Sequence, residues 1–132
     1  MDSSNSEGLN TSGLICEVDG NRLDEVVENA LDSLLKRHPK PDALLFATDL
    51  LTLYGLKYAI RNNLNIPEEI EIMAIDEAPY YDIFPSKLSY YKQPLELMGR
   101  KAVDFLMSKI ANDDGQWIQE IVKGEMILSG HK

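Results

Sequence analysis

The sequence predicts an α/β protein built on a Rossmann-like parallel sheet. Three observations predict it. Short apolar runs alternate with amphipathic stretches of helical period, which is the signature of strand–helix–strand units. One of those runs, Ala43-Leu44-Leu45-Phe46-Ala47, is continuously apolar, as in a strand covered on both faces. Polar residues cluster where the strands end, at Thr48-Asp49, Asp76-Glu77 and Gln93.

Taken in order, residues 1–12 are rich in Ser, Asn and Gly and read as a flexible lead-in, leaving 13–132 as the folded unit. Leu14 to Val18 is a short strand candidate ending at the turn Asp19-Gly20. Leu23, Val26, Val27, Ala30, Leu31, Leu34 and Leu35 repeat at three and four residues, so a helix follows. It should stop at His38-Pro39, because proline disfavours helix in the residue before it. After the apolar strand, Asp49 is placed to cap a second helix reaching Asn62 or Asn63. Ile70 to Ile75 is the third strand, with Asp76 at its end. Pro79 to Lys87 reads as a longer loop, and Leu88 to Lys92 as a fourth, shorter strand. Pro94 can open a helix whose apolar stripe runs from Leu95 to Ile110. The run from Asn112 to Gly115 breaks it, and Trp117 to Leu128 supplies a last strand or two.

Composition narrows the function. The 132 residues are 44% hydrophobic and 27% charged, which is ordinary for a globular domain. Net charge is −9, from 22 acidic and 13 basic residues. Nucleic acid is held mainly by neutralising phosphates with Lys and Arg, so this chain should not bind DNA by itself. No apolar run approaches the roughly 18 residues a membrane span needs, and no membrane is expected as a partner. The N-terminal residues lack the basic and apolar regions of a signal peptide, and the single cysteine suits a reducing cytoplasmic setting. Cys16 lies among apolar residues and reads as a buried structural thiol.

Chemistry can be placed only coarsely. In open parallel sheets ligands bind outside the carboxyl ends of the strands, which singles out Asp19 to Arg22, Thr48, Asp49, Asp76 and Gln93. Carboxylates and amides gathered there suit hydroxyl-rich ligands, since each carboxylate accepts two or more hydrogen bonds. Asp49 is as well explained as a helix cap, whereas Asp76 has no structural duty in view. Tyr80, Tyr81, Tyr90 and Tyr91 could stack on a ligand ring, but such clusters more often pack a loop. Neither His38 nor His131 has a serine or cysteine partner at a strand end, and no glycine-rich phosphate loop is present. No enzyme, cofactor or metal is expected.

A family resemblance sharpens this. Pro41 to Gly55, read PDALLFATDLLTLYG, resembles the segment P-S/T-A-I-F-A-x-N-D-x-M-A-x-G of LacI/GalR-type transcription regulators. Asn63 to Ile70 is similar to their G-L-x-V-P-x-D-I, and Ala74-Ile75-Asp76-Glu77 to V-G-F/Y-D-D/N. Leu88 to Pro94 resembles L-T-T-V/I-x-Q-P, and Met98 to Ala102 resembles the L-G-x-x-A that follows. The series keeps the family order over about residues 40–130.

The resemblance implies part of a type I periplasmic-binding-protein lobe, the C-terminal portion of a sensor that closes on a small-molecule effector, a sugar or related metabolite. The same fold serves sugar-transport binding components, the alternative function. Asp76 matches the aspartate that holds effector hydroxyls, Thr48 the asparagine of the family's N-D pair, and Gln93 the glutamine near the lobe crossover. Arg22 falls near the position of an aromatic that stacks on the ligand, and a cationic fork there would suit an acidic effector. Operator DNA would be reached only through an N-terminal headpiece that this sequence lacks. Helix 94–111 would belong to the other lobe, so its apolar stripe should draw the chain into a homodimer or larger assembly.

Overall fold

The structure is a computed structural model, and it describes residues 15–17, 22–111, 115 and 118–129. The lead-in over 1–12 and the turn at Asp19-Gly20 lie outside them. Among the described residues four strands form one sheet in the order β1 (Ala43–Phe46), β2 (Glu71–Ile75), β3 (Ser89–Lys92), β4 (Glu125–Ile127). The first three are parallel and β4 runs antiparallel to β3, so the expected parallel sheet gains a reversed edge. The α-helices described with it are α1 (Leu23–Leu35), α2 (Asp49–Arg61) and α3 (Leu95–Ala111). A short 3-10 helix at Pro79–Ile83 occupies the predicted loop.

The core gathers where α2 crosses β1 and β2. Ile70, just before β2, and Ile72 and Ala74 on it are essentially inaccessible, because β2 has a strand on each side and α2 over it. Val27 and Leu31 face inward from α1, which packs on α2 and shows the predicted three–four repeat. At β1 the expectation of two covered faces fails. Phe46 is buried, but Leu45 on the opposite face is 64% exposed. A continuous apolar run cannot report which of its faces will find a neighbour.

Two local contacts hold the helices in place. The ring of Phe46 lies on Gly55 so closely that a Cβ there would sit 2.7 Å and 2.8 Å from two ring carbons, and nearer still to a third. Between α1 and α2 the Tyr58 hydroxyl donates to Asp32 at 2.6 Å. That bond, with help from Lys36, lowers the Asp32 carboxyl below its ordinary value. Burial, and then the same bond, pushes the Tyr58 phenol up to about 12.

Three further expectations need correction. Residues 15–17 form no strand, and Cys16 is exposed rather than a buried structural thiol. Apolar neighbours in sequence do not by themselves bury a residue, since burial depends on what packs over it. The helix cap is Thr48, not Asp49: the Thr48 hydroxyl accepts from the Leu51 amide at 3.2 Å, while Asp49 is already the first helical residue.

Gly55→Ala should destabilise the protein by about 1–3 kcal/mol in urea melts, although alanine is the better helix former by roughly 1 kcal/mol. Adding Phe46→Leu should recover part of the loss by making room. Tyr58→Phe should flatten both limbs of the stability–pH profile. The depressed Asp32 contributes stability above the unfolded carboxylate value, and that contribution is lost as pH falls through its folded value. The raised Tyr58 contributes stability that is present below about pH 10 and lost as pH rises toward 12. Denaturation midpoints measured across pH in both proteins check the two limbs together.

Candidate functional site

Parallel pairing aligns the carboxyl ends of β1, β2 and β3 along one edge, because Phe46 pairs with Ala74 and Ile75 with Tyr91. The chain leaves that edge through Thr48, Asp76 and Gln93. Asp76 turns sharply, with φ at 80°, a left-handed backbone that non-glycine residues visit at a cost. It is held there from three sides. Its amide donates to the Tyr91 carbonyl at 2.9 Å, its carbonyl accepts from the Tyr81 hydroxyl at 3.2 Å, and its Oδ1 accepts from Gln93 Nε2 at 2.5 Å. The carboxylate therefore has one oxygen fixed by an amide and retains further acceptor capacity.

Beyond this pair lies a cleft of about 610 Å³, within the size range of small-molecule sites. Asp76, Glu77, Lys92 and Gln93 line it from the sheet edge, and Leu95 and Arg100 from α3. Its cations are already matched. Lys92 Nζ meets Glu77 Oε2 at 2.7 Å, and Arg100 meets Glu96 at 3.0 Å. The Lys92 bond holds the Glu77 carboxyl below its usual range, and Glu77 in turn raises the Lys92 ammonium. An aspartate steadied by an amide, with its neighbours' charges paired, is equipped to accept hydrogen bonds from hydroxyl groups.

Of the residues singled out from sequence, the structure brings Asp76 and Gln93 into direct contact. Thr48 and Asp49 stand at the same edge but do not line the cleft. The Thr48 hydroxyl accepts from the Leu51 amide of its helix, and Asp49 Oδ1 accepts from the Leu50 amide at 2.7 Å. Arg22 is at the start of α1, pairs with Glu25 and does not line the cleft. The tyrosines act as braces. The Tyr80 hydroxyl donates to the Asp49 carbonyl at 2.5 Å, and Tyr81 packs edge-on to Tyr80 and against Tyr90. Burial raises both the Tyr80 and Tyr81 phenols. Sequence reasoning missed the Glu77–Lys92 pair, which is 15 residues apart in sequence and adjacent only because β2 and β3 are neighbours. Among the described residues no cluster of His, Cys, Asp or Glu could hold a metal ion, and no helix is long and apolar enough to cross a membrane.

The left-handed turn at Asp76 can be separated from its side chain. Asp76→Ala and Asp76→Gly both lose the Gln93 bond, but only alanine keeps the backbone cost. Asp76→Gly should therefore be the more stable by about 1 kcal/mol in thermal or urea denaturation. Equal stability of the two variants would contradict the observed backbone.

Comparison with known proteins places this geometry. Residues 3–127 match the family model of the periplasmic binding protein-like domain. The regulator CelR of Thermobifida fusca is 24% identical over 99 residues, which are 75% of this chain and 29% of that protein. The lactose operon repressor of Rhizobium radiobacter is 30% identical over 82 residues, covering 62% of this chain and 73% of that sequence. Among solved structures, the cellobiose complex of the regulator CelR superposes with a TM-score of 0.78 at 22% identity, covering 98% of this chain and 40% of that one. The chain spans between a quarter and a third of the length of curated relatives such as CelR and the regulator EndR of Paenibacillus polymyxa. The chain belongs to the periplasmic binding protein-like domain family, on the branch formed by the effector domains of LacI-family regulators.

Proposed function

We propose that the chain is the effector-binding portion of a cytoplasmic transcription regulator and recognises a sugar or related hydroxyl-rich metabolite without catalysis. The single observation that carries this reading is the Asp76–Gln93 pair at the mouth of the strand-edge cleft. Family membership, relatives that are transcription regulators, and a structural neighbour described as a cellobiose complex support it. Those relatives speak for regulation over the transporter reading. With a net charge of −9 the chain is poorly suited to phosphates, so operator DNA would be contacted by a separate basic segment of the regulator.

Within this reading Asp76 accepts hydrogen bonds from ligand hydroxyls and Gln93 orients it. The cleft belongs to the same proposal. Thr48 and Asp49 act one step back, fixing the start of α2 at the strand edge, and Arg22 contributes least. An acidic effector is not favoured, because Lys92 and Arg100 already face carboxylates in the lining.

Calorimetric titration against a panel of neutral and acidic sugars tests the reading. Neutral sugars should bind. Asp76→Asn should weaken them about tenfold or more, since hydrogen bonds to a charged acceptor are worth roughly 1.5–3 kcal/mol. An unaltered affinity in Asp76→Asn would remove Asp76 from the site, and preferential binding of acidic sugars would overturn the neutral effector.

A further inference from the structure

Helix α3 forms the far wall of the cleft, yet among the described elements it packs against no other helix or strand. Its companion is the extended segment 118–122, joined to it by an ion pair of 2.5 Å between Lys101 and Glu120. The two reach the sheet through a narrow neck. The chain leaves β3 at Gln93-Pro94 to begin α3, and returns through Lys123-Gly124 to begin β4. Where α3 stands over Asp76 is therefore decided at the neck.

Tyr91 is bonded on both sides of that neck. Its carbonyl accepts from the Asp76 amide at 2.9 Å, and its hydroxyl accepts from the Gly124 amide at 2.7 Å. Gly124 lies tight against the outgoing strand. A Cβ there would collide with the Lys92 carbonyl oxygen and stand 2.7 Å from the Tyr91 ring. Pairing of β3 with β4 begins at the next residue, Lys92 with Glu125 and Tyr91 with Met126. Tyr91 itself does not line the cleft. The motif that Leu88 to Pro94 resembles carries valine or isoleucine at this place, and neither has a hydroxyl to offer.

We propose that Tyr91 is a positioning residue for the effector cleft. By pinning Gly124 it holds the outgoing and returning strands together, and so fixes the stance of α3 across from Asp76. The inference rests on the effector reading of the cleft. A wall held in place before binding loses less freedom when a ligand arrives, so the hydroxyl contributes to affinity without touching the ligand.

The stance of α3 can be read without ligand. Ile60 on α2 and Met107 on α3 are exposed, so Ile60→Cys and Met107→Cys can carry spin labels, with Cys16→Ser removing the native thiol. Pulsed electron paramagnetic resonance then reports the distance between them. Unaltered Tyr91 should give a narrow distribution. Tyr91→Phe should broaden it, and Gly124→Ala, which wedges the neck instead of unpinning it, should shift its mean. Tyr58→Phe removes a hydrogen bond between α1 and α2 and should leave the distribution unchanged. In titrations with neutral mono- and disaccharides, Tyr91→Phe should weaken binding about threefold to tenfold, the scale of one net hydrogen bond. A distribution as narrow in Tyr91→Phe as in the unaltered chain overturns the proposal. Equal broadening in Tyr58→Phe overturns it too, since the effect would then be a general loosening. Sugar affinity unchanged in Tyr91→Phe does the same. Absence of sugar binding by the unaltered chain would instead sink the effector reading, and the ligand-free distances would still decide whether Tyr91 sets the wall.

Discussion

Burial of β2 is the constraint from which the rest of the structure follows. Ile70, Ile72 and Ala74 point into the core, and a shift of one residue in the pairing would send all of them to the opposite face. Register is therefore fixed on both sides of β2. Phe46 then falls beside Ala74, where its ring can reach Gly55, and Ile75 falls beside Tyr91. The carboxyl ends of three strands arrive at one edge as a consequence of packing. Position of the candidate site is set by apolar burial before any polar contact is made.

At that edge the polar residues divide into supports and a ligand-facing acceptor only through their partners. Thr48 spends its hydroxyl on α2, and Tyr80 and Tyr81 clamp the 3-10 helix to the backbone at Asp49 and Asp76. The Tyr81 bond, together with the Asp76 amide's bond to the Tyr91 carbonyl, fixes the backbone reversal at Asp76 from both sides. Gln93 then fixes its carboxylate. A group held this firmly loses little freedom when it takes up a ligand, which is how a preorganised site gains affinity.

Much of this was legible in the sequence, for identifiable reasons. The three–four repeat from Leu23 to Leu35 placed α1, and the polar residues after each apolar run placed Asp76 and Gln93 at one edge. The run of Ala43 to Ala47 identified β1 but not its open face, since an apolar residue carries no mark of whether a neighbour will cover it. Choosing Asp49 over Thr48 as the cap failed because both are good caps and the boundary moved by one residue. The Glu77–Lys92 pair and the reversed direction of β4 depend on which strands lie side by side, and no local pattern encodes that. The exposure of Cys16 has the same origin, since apolar neighbours in sequence do not say what packs over a residue.

The central claim is that the Asp76 carboxylate, oriented by Gln93, receives the hydroxyl groups of a neutral sugar-like effector. A crystal structure of the protein with a bound sugar tests it most directly. The account predicts ligand hydroxyls within hydrogen-bonding distance of Asp76, with the Gln93 bond to Oδ1 kept. A ligand seated elsewhere, with Asp76 touching only protein, would contradict it.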